Sequence, residues 1–156
     1  MAKARPISLS VDERYAEAAA RTIATRAEEL IAHSAGVLDM SDIERLHDMR
    51  VASRRLRAAL EVFAPCFPAG DYGGVLRDVK RLADALGERR DRDVTIKAVR
   101  AFGAEMPTAD QPGIDALVVR LRGEQEQANR ELEPLVTGDH LADLQRRLDG
   151  LAATAR

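Results

Sequence analysis

The chain is patterned by apolar residues that recur every three or four positions, which is the spacing of one face of an α-helix. The pattern is simplest near the end of the sequence, in the leucines Leu141, Leu144, Leu148 and Leu151. Nowhere do apolar and polar residues alternate over a run long enough to indicate a half-buried β-strand. The sequence therefore predicts an all-α protein, a helical bundle joined by mostly short loops.

Residues suited to cap or break helices divide this pattern into six predicted helices. Ser10 is suited to cap the first helix and Gly36 to close it, and the sequence from Ser41 to Glu44 has the form of a capping box. The first four predicted helices cover about residues 10–33, 42–64, 75–86 and 91–103. The fifth begins at residue 114 and ends between residues 134 and 138, and the sixth covers residues 141–151.

The least regular stretch is predicted to contain a loop and a helix–helix corner. Residues 65–74 are rich in Pro and Gly and are expected to form the loop. Gly87 is expected to end the third helix, and Asp91 or Asp93 to cap the fourth, so that the arginines between them lie in the corner. Arg–Asp pairs at such a corner commonly have a purely structural role.

The composition supports one cytoplasmic domain with an aliphatic core. The 156 residues are 46% hydrophobic but only 3% aromatic, which favours packed helices over a sheet. Residues 1–9 are predicted to form a tail and residues 10–153 the domain, with a candidate sub-boundary in the linker at 103–113. No apolar run approaches the roughly 18 residues of a membrane span, no signal peptide is recognisable, and the single Cys66 fits a reducing compartment.

Basic charge is concentrated in the second predicted helix, although the net charge of the chain is −2. At 100° per residue, four basic side chains fall within an arc of about 80° beside the apolar face. We call these four residues the cationic stripe: His47, Arg50, Arg54 and Arg57. Only one acid, Glu61, lies on the same arc, so the stripe is expected to meet an anion rather than neighbouring carboxylates.

Arginine suits a phosphate partner because its planar group donates two hydrogen bonds to phosphate oxygens and keeps its charge. Bases one and two turns apart lie roughly 5 and 10 Å apart along a helix, so several phosphates of a polyanion can be held together. Lys80, beside the apolar face of the third helix, is a further candidate. The alternative interpretation is a solvated basic face whose arginine stems cover apolar neighbours.

Two other functions remain open at this point. A nucleic-acid-binding module could use the same stripe, although scarce aromatics and a negative net charge weigh against it. The pair His47 and Asp48 is similar to the metal ligands of HD-type phosphohydrolases, but the two side chains are about 100° apart on a helix and the nearby arginines repel a divalent cation.

Two motifs together resemble the CHAD domain, the conserved-histidine α-helical domain. The family's first motif reads H-x-x-R-V-x-x-R-R-L-R with a Phe after it, and its residues here are His47, Arg50, Val51, Arg54, Arg55, Leu56, Arg57 and Phe63. The second reads L-G-x-x-R-D-x-D-V, and its residues here are Leu86, Gly87, Arg90, Asp91, Asp93 and Val94. The likeness covers about residues 10–150 in helix order.

This resemblance implies that a basic surface binds inorganic polyphosphate, in some members at polyphosphate granules. It makes the cationic stripe the first set of anion-binding candidates. Three further residues form a second set of candidates: Arg55, Lys80 and Arg90. We accordingly expect a non-enzymatic protein with no catalytic residue, metal or cofactor. Family members commonly have a second helical half with its own basic helix, and nothing after residue 113 supplies one. The chain resembles a short, single-half form, in which a closed basic channel either needs a second copy, as in a homodimer, or does not exist.

Overall fold

The computed structural model describes residues 3–156, and five α-helices account for most of them. These are α1 (Tyr15–Ala32), α2 (Ile43–Val62), α3 (Ala69–Gly103), α4 (Gln111–Val136) and α5 (Gly138–Ala153). Single turns of 3-10 helix lie at Ala64–Cys66 and Thr108–Asp110, and no strand occurs within the described range. The predicted all-α class is confirmed, with five helices rather than six.

The difference lies in α3, which is one uninterrupted helix where two helices and a corner were predicted. Gly87 lies inside α3 and does not end it, and the helix begins at Ala69, within the expected loop. Neither Asp91 nor Asp93 caps a helix, because both lie inside α3. The Oδ1 of Asp93 accepts a hydrogen bond from Nε of Arg89 at 2.8 Å, one turn earlier. An interior glycine costs about 1 kcal/mol of helix stability. The packing of α3 against its neighbours outweighs that local cost.

The first helix begins later than its predicted cap. Ser10 and Glu13 form a separate turn, in which the Glu13 backbone N–H donates to the Ser10 carbonyl at 3.2 Å. The chain is extended at Arg14, and α1 begins at Tyr15. The carboxylate of Glu17 accepts the Arg14 backbone N–H at 3.3 Å and so supplies the capping interaction predicted at Ser10.

The predicted tail packs along α1 over its described part. Residues 1 and 2 lie outside the described residues. Arg21 donates to the Ser8 carbonyl at 2.6 Å and Arg26 to the Arg5 carbonyl at 3.2 Å. These bonds satisfy backbone groups of an extended segment that has no secondary-structure partners.

The start of α2 is close to the prediction. Asp42 is the N-cap residue, so α2 begins at Ile43, one residue after the predicted start. Ser41 does not supply the cap, because its hydroxyl donates to Asp39 at 2.6 Å. Gly36 has a φ of 71° in the turn that follows α1, a conformation that favours glycine.

One aliphatic core is shared by all five helices. Every helix contributes fully buried side chains, among them Ile23, Leu30, Leu46, Met49, Leu56, Leu60, Leu82, Leu86, Leu132, Leu144 and Leu148. None of the helices in residues 3–156 is both long enough and apolar enough to cross a membrane.

The two longest helices continue beyond this core as a helical hairpin. With 35 residues, α3 is about 52 Å long, whereas α2 with 20 residues is about 30 Å long. We call residues 94–124 the arm, in which the end of α3 packs against the start of α4. Only Ile96 and Gly103 are fully buried in it, and Gly103 lies against the side chain of Ile114. The predicted linker at 103–113 is therefore a tight turn between two packed helices.

Candidate functional site

The cationic stripe lies along the side of α2 next to α3, at the edge of the core. The two helices are antiparallel: the start of α2 meets Arg90, its middle meets Gly87 and its end meets Lys80. Helical periodicity places the stripe beside the fully buried leucines of α2. The surface between α2 and α3 thus carries basic side chains from both helices.

Arg50 lies at the centre of this surface, over Gly87 of α3. A Cβ atom built on Gly87 would be 3.8 Å from Nε of Arg50, which is ordinary van der Waals contact. Arg50 forms no ion pair with any acid in residues 3–156. Because glycine has no side chain, Gly87 leaves space for the side chain of Arg50 beside α3.

At the far end of α2, one carboxylate connects the two helices. Glu61 Oε1 lies 3.1 Å from Nε of Arg57 and 3.3 Å from Nζ of Lys80. The hydrogen bonds from Arg57 and then Lys80 lower the pKa of the Glu61 carboxyl below its ordinary value. Glu61 is the acid that the sequence placed on the stripe, and it competes with any external anion for these two cations.

At the opposite end, the guanidinium of Arg90 interacts mainly with residues at the start of α2. Its Nη1 donates to the Ile43 carbonyl at 3.3 Å and lies 3.6 Å from Oε1 of Glu44. Only 18% of the Arg90 side chain is exposed. Arg90 therefore joins α3 to the start of α2 and presents part of its charge to solvent.

The two remaining stripe residues, like Arg50, have no ion pair with an acid in residues 3–156. Arg54 is exposed, and its side chain has no hydrogen bond or ion pair with another described residue. His47 is half-buried, and its Nδ1 is buried without a hydrogen-bond partner in that same part of the chain. A buried nitrogen of this kind is costly unless a further group binds it.

Arg55 does not share the surface with the stripe. It lies about 120° around α2 from the centre of the stripe, on the side that faces α1. Burial raises the pKa of the Glu29 carboxyl on α1, but hydrogen bonds from Arg5 and Arg26 and the charges of Arg26 and Arg55 bring it below its ordinary value. The structure therefore brings six of the seven predicted residues together and leaves Arg55 on the α1 side.

The residues of the alternative metal site do not form a cluster. His47 and Asp48 are neighbours in sequence and point about 100° apart around α2. Across residues 3–156, no three His, Cys, Asp or Glu side chains lie close enough together to hold one metal ion.

A buried polar network lies behind the stripe, between α3 and α4. Arg89 and Asp93 have fully buried side chains and form an ion pair at 2.8 Å. Gln125 donates to Asp93 at 2.6 Å, and Arg89 also donates to the side chain of Asn129. The sequence motif that predicted a corner therefore encodes an interhelical contact, and of its arginines Arg90 alone reaches the stripe.

The fold and the site define a helical-bundle protein with a basic surface between two antiparallel helices. A family model for the CHAD domain matches residues 21–156, and the chain belongs to the CHAD domain family. The crystal structure of the CHAD domain from the plant Ricinus communis matches with a TM-score of 0.71 and 23% identity. That match covers 99% of this chain and 52% of the plant chain, so this chain spans about half of that domain's length. No curated protein matches the sequence.

Proposed function

We propose that this protein binds inorganic polyphosphate along the cationic stripe and acts as a binding protein, not an enzyme. The observation that carries the proposal is the pair Arg50 and Arg54, two arginines one turn apart that have no acid partner in residues 3–156. Most other arginines on this protein are paired with a carboxylate. Membership of the CHAD family supports the same ligand.

The spacing of the stripe suits a ligand with repeated charges. Arg50 and Arg54 are about 6 Å apart along the helix axis, and Arg50 and Arg57 about 10 Å apart. Phosphates along an extended polyphosphate repeat at a comparable or shorter distance, so each arginine can bind a different phosphate. The guanidinium groups bind phosphate oxygens in pairs, and the imidazole ring of His47 adds a hydrogen bond.

The helix opposite supplies the other side of the binding surface. Lys80 reaches the end of the stripe, and Arg90 lies at its beginning. A polyphosphate that binds Arg57 and Lys80 displaces Glu61 from both, which costs little because ion pairs at an exposed surface are weak. Binding is therefore electrostatic, multivalent and sensitive to salt.

We propose that a second copy of this protein pairs with the first, as a homodimer, to enclose a basic channel. The stripe forms one wall only, and a second copy placed over it would supply the facing basic wall. Sedimentation with and without long-chain polyphosphate tests this, since two copies on one ligand chain double the sedimenting protein mass. A cytoplasmic location at polyphosphate granules belongs to the same proposal and is testable by imaging a fluorescent fusion together with a granule stain.

The experiment that tests the function is a competition at equal phosphate concentration. Long-chain polyphosphate and single-stranded RNA are titrated against each other on the wild type and on the Arg50→Glu/Arg54→Glu/Arg57→Glu variant. We expect polyphosphate to displace RNA and the variant to bind neither ligand at low salt. RNA that displaces polyphosphate would instead support a nucleic-acid-binding module, and phosphate release with stoichiometric bound iron or manganese would support a phosphohydrolase.

A further inference from the structure

The basic side of α3 continues past the point where α2 begins. Arg90 contacts the first residues of α2, and α3 then runs on into the arm as far as Gly103. Residues 94–103 of α3 carry two cations, Lys97 and Arg100, and no acid. Lys97 comes two turns after Arg90 and lies only about 20° from it around the helix. It therefore lies on the side of α3 that Arg90 presents to the stripe.

A cavity connects these two cations to the start of α2. It has a volume of about 560 Å³ and opens between the arm and the segment that leads into α2. Lys97 and Arg100 line it from α3, and Arg122 lines it from α4. Ile43 belongs to both surfaces, because it lines the cavity and its carbonyl accepts a hydrogen bond from Arg90 at 3.3 Å. The cavity is therefore adjacent to the beginning of the stripe.

The three cations at the cavity are open to an external anion. They are exposed, and their side chains have no ion pair or hydrogen bond with another residue in the range 3–156. Two exposed acids lie nearby, Glu126 at the cavity and Glu44 beside Arg90. The buried Asp93 is paired with Arg89, so its charge is balanced inside the fold. Three cations around one opening give it a positive potential, which attracts anions.

The arm doubles the length of the basic surface. Along α3, Lys80 and Arg90 are about 15 Å apart, whereas Lys80 and Arg100 are about 30 Å apart. A short polyphosphate can cover only the part beside α2. A longer chain that is bound at the stripe can reach the arm as well, and its second contact is intramolecular, so it adds affinity at little further entropic cost.

We propose that Lys97 and Arg100 extend the polyphosphate site along the arm, so that the protein selects long polyphosphate chains over short ones. This extension rests on the proposed function, since the stripe holds the first part of the chain. Arg122 adds positive potential from α4. A short ligand then meets five permanently charged side chains beside α2, and a long ligand meets seven.

The test compares two defined lengths of end-labelled polyphosphate by fluorescence anisotropy over a series of salt concentrations. The short chain has an extended length of about 15 Å and the long chain one well above about 30 Å. The variant is Lys97→Gln/Arg100→Gln, which breaks no ion pair within residues 3–156. At about 0.8 per bound cation, the slope of log affinity against log salt concentration for the long chain is about −5.6 in the wild type and about −4 in the variant. For the short chain it is about −4 in both proteins.

The same slopes give the expected loss of affinity. Between ~50 and ~200 mM salt, the wild type loses affinity for the long chain about 2,300-fold and the variant only about 250-fold. The control Arg120→Gln/Arg130→Gln removes two other exposed charges and should leave both slopes at the wild-type values. A long-chain slope that Lys97→Gln/Arg100→Gln does not change would overturn the proposal, as would an equal change for the short chain.

A second variant separates this proposal from the proposed function. Arg50→Gln/Arg54→Gln should weaken the binding of both lengths, because both lie on the stripe. If it does so while Lys97→Gln/Arg100→Gln has no effect on either length, the stripe remains the binding site and only the extension along the arm is refuted. If neither length binds the wild type at low salt, both proposals are refuted.

Discussion

Neutralising the two unpaired arginines of the stripe is expected to change how polyphosphate binding responds to salt. The variant is Arg50→Gln/Arg54→Gln, which removes two charges and keeps most of each side chain. Neither residue has an acid partner in residues 3–156, so the change breaks no ion pair in the folded protein. Any effect on binding is therefore an effect on the ligand contacts.

The size of the change follows from counting the cations on the surface. Five permanently charged side chains face the proposed ligand: Arg50, Arg54, Arg57, Lys80 and Arg90. Each bound cation contributes about 0.7–0.9 to the slope of log affinity against log salt concentration, so the wild-type slope is about −4. The variant retains three of these cations, and its slope is about −2.4. Between ~50 and ~200 mM salt the wild type then loses affinity about 250-fold and the variant only about 30-fold.

The assay is fluorescence anisotropy with end-labelled polyphosphate of one defined length, repeated over a series of salt concentrations. The control is Arg120→Gln/Arg130→Gln, which removes two exposed charges from α4, on the other side of α3 from the stripe. Its slope should equal that of the wild type. If the two double variants reduce the slope equally, net charge drives binding and the argument for a defined surface is refuted.

Three further predictions concern the surroundings of the stripe. Glu61→Gln frees Arg57 and Lys80, so polyphosphate should bind about two- to fivefold more tightly in low salt, as measured by anisotropy. Because the pKa of the Glu61 carboxyl is lowered, this difference in affinity should persist at neutral pH and shrink only as the pH falls through that lowered pKa. Unchanged affinity at neutral pH would contradict the role assigned to Glu61. Gly87→Leu places a large side chain against Arg50 and should weaken binding about three- to tenfold, whereas Gly87→Ala places a Cβ at ordinary contact distance and should not. Equal effects of the two variants would mean that the space beside Gly87 is unimportant for binding. Arg89→Met leaves the Asp93 carboxylate buried without its cation and should lower the free energy of unfolding by about 3–5 kcal/mol in urea denaturation. Arg89→Met/Asp93→Leu should recover much of that loss, and a double variant as unstable as the single one would show that the ion pair itself contributes strongly to stability.

The sequence was a good guide wherever local pattern and tertiary packing agree. The apolar spacing of α2 places Leu46 and Leu56 in the core, and both are fully buried. The same spacing puts the cationic stripe on one side of the helix and identifies Glu61 as its acid. These features depend only on helical periodicity, which the sequence shows directly.

Prediction was wrong where tertiary packing overrides local signals. Gly87 and the following aspartates are typical of a helix end, yet α3 continues through them because Asp93 pairs with Arg89 inside the bundle. The cavity that opens between the arm and the start of α2 was not predictable for a related reason. Its walls come from residues near 40, 97 and 122, which only the folded chain brings together.

The central claim is that polyphosphate binds between α2 and α3, and amide and side-chain NMR shifts on titration with polyphosphate test it most directly. We predict that the largest shifts belong to the His47 ring, to the side chains of Arg50, Arg54 and Arg57, and to their neighbours around Lys80, with α4 and α5 little changed. Shifts centred on another face of the bundle, or no shifts at low salt, would contradict the account.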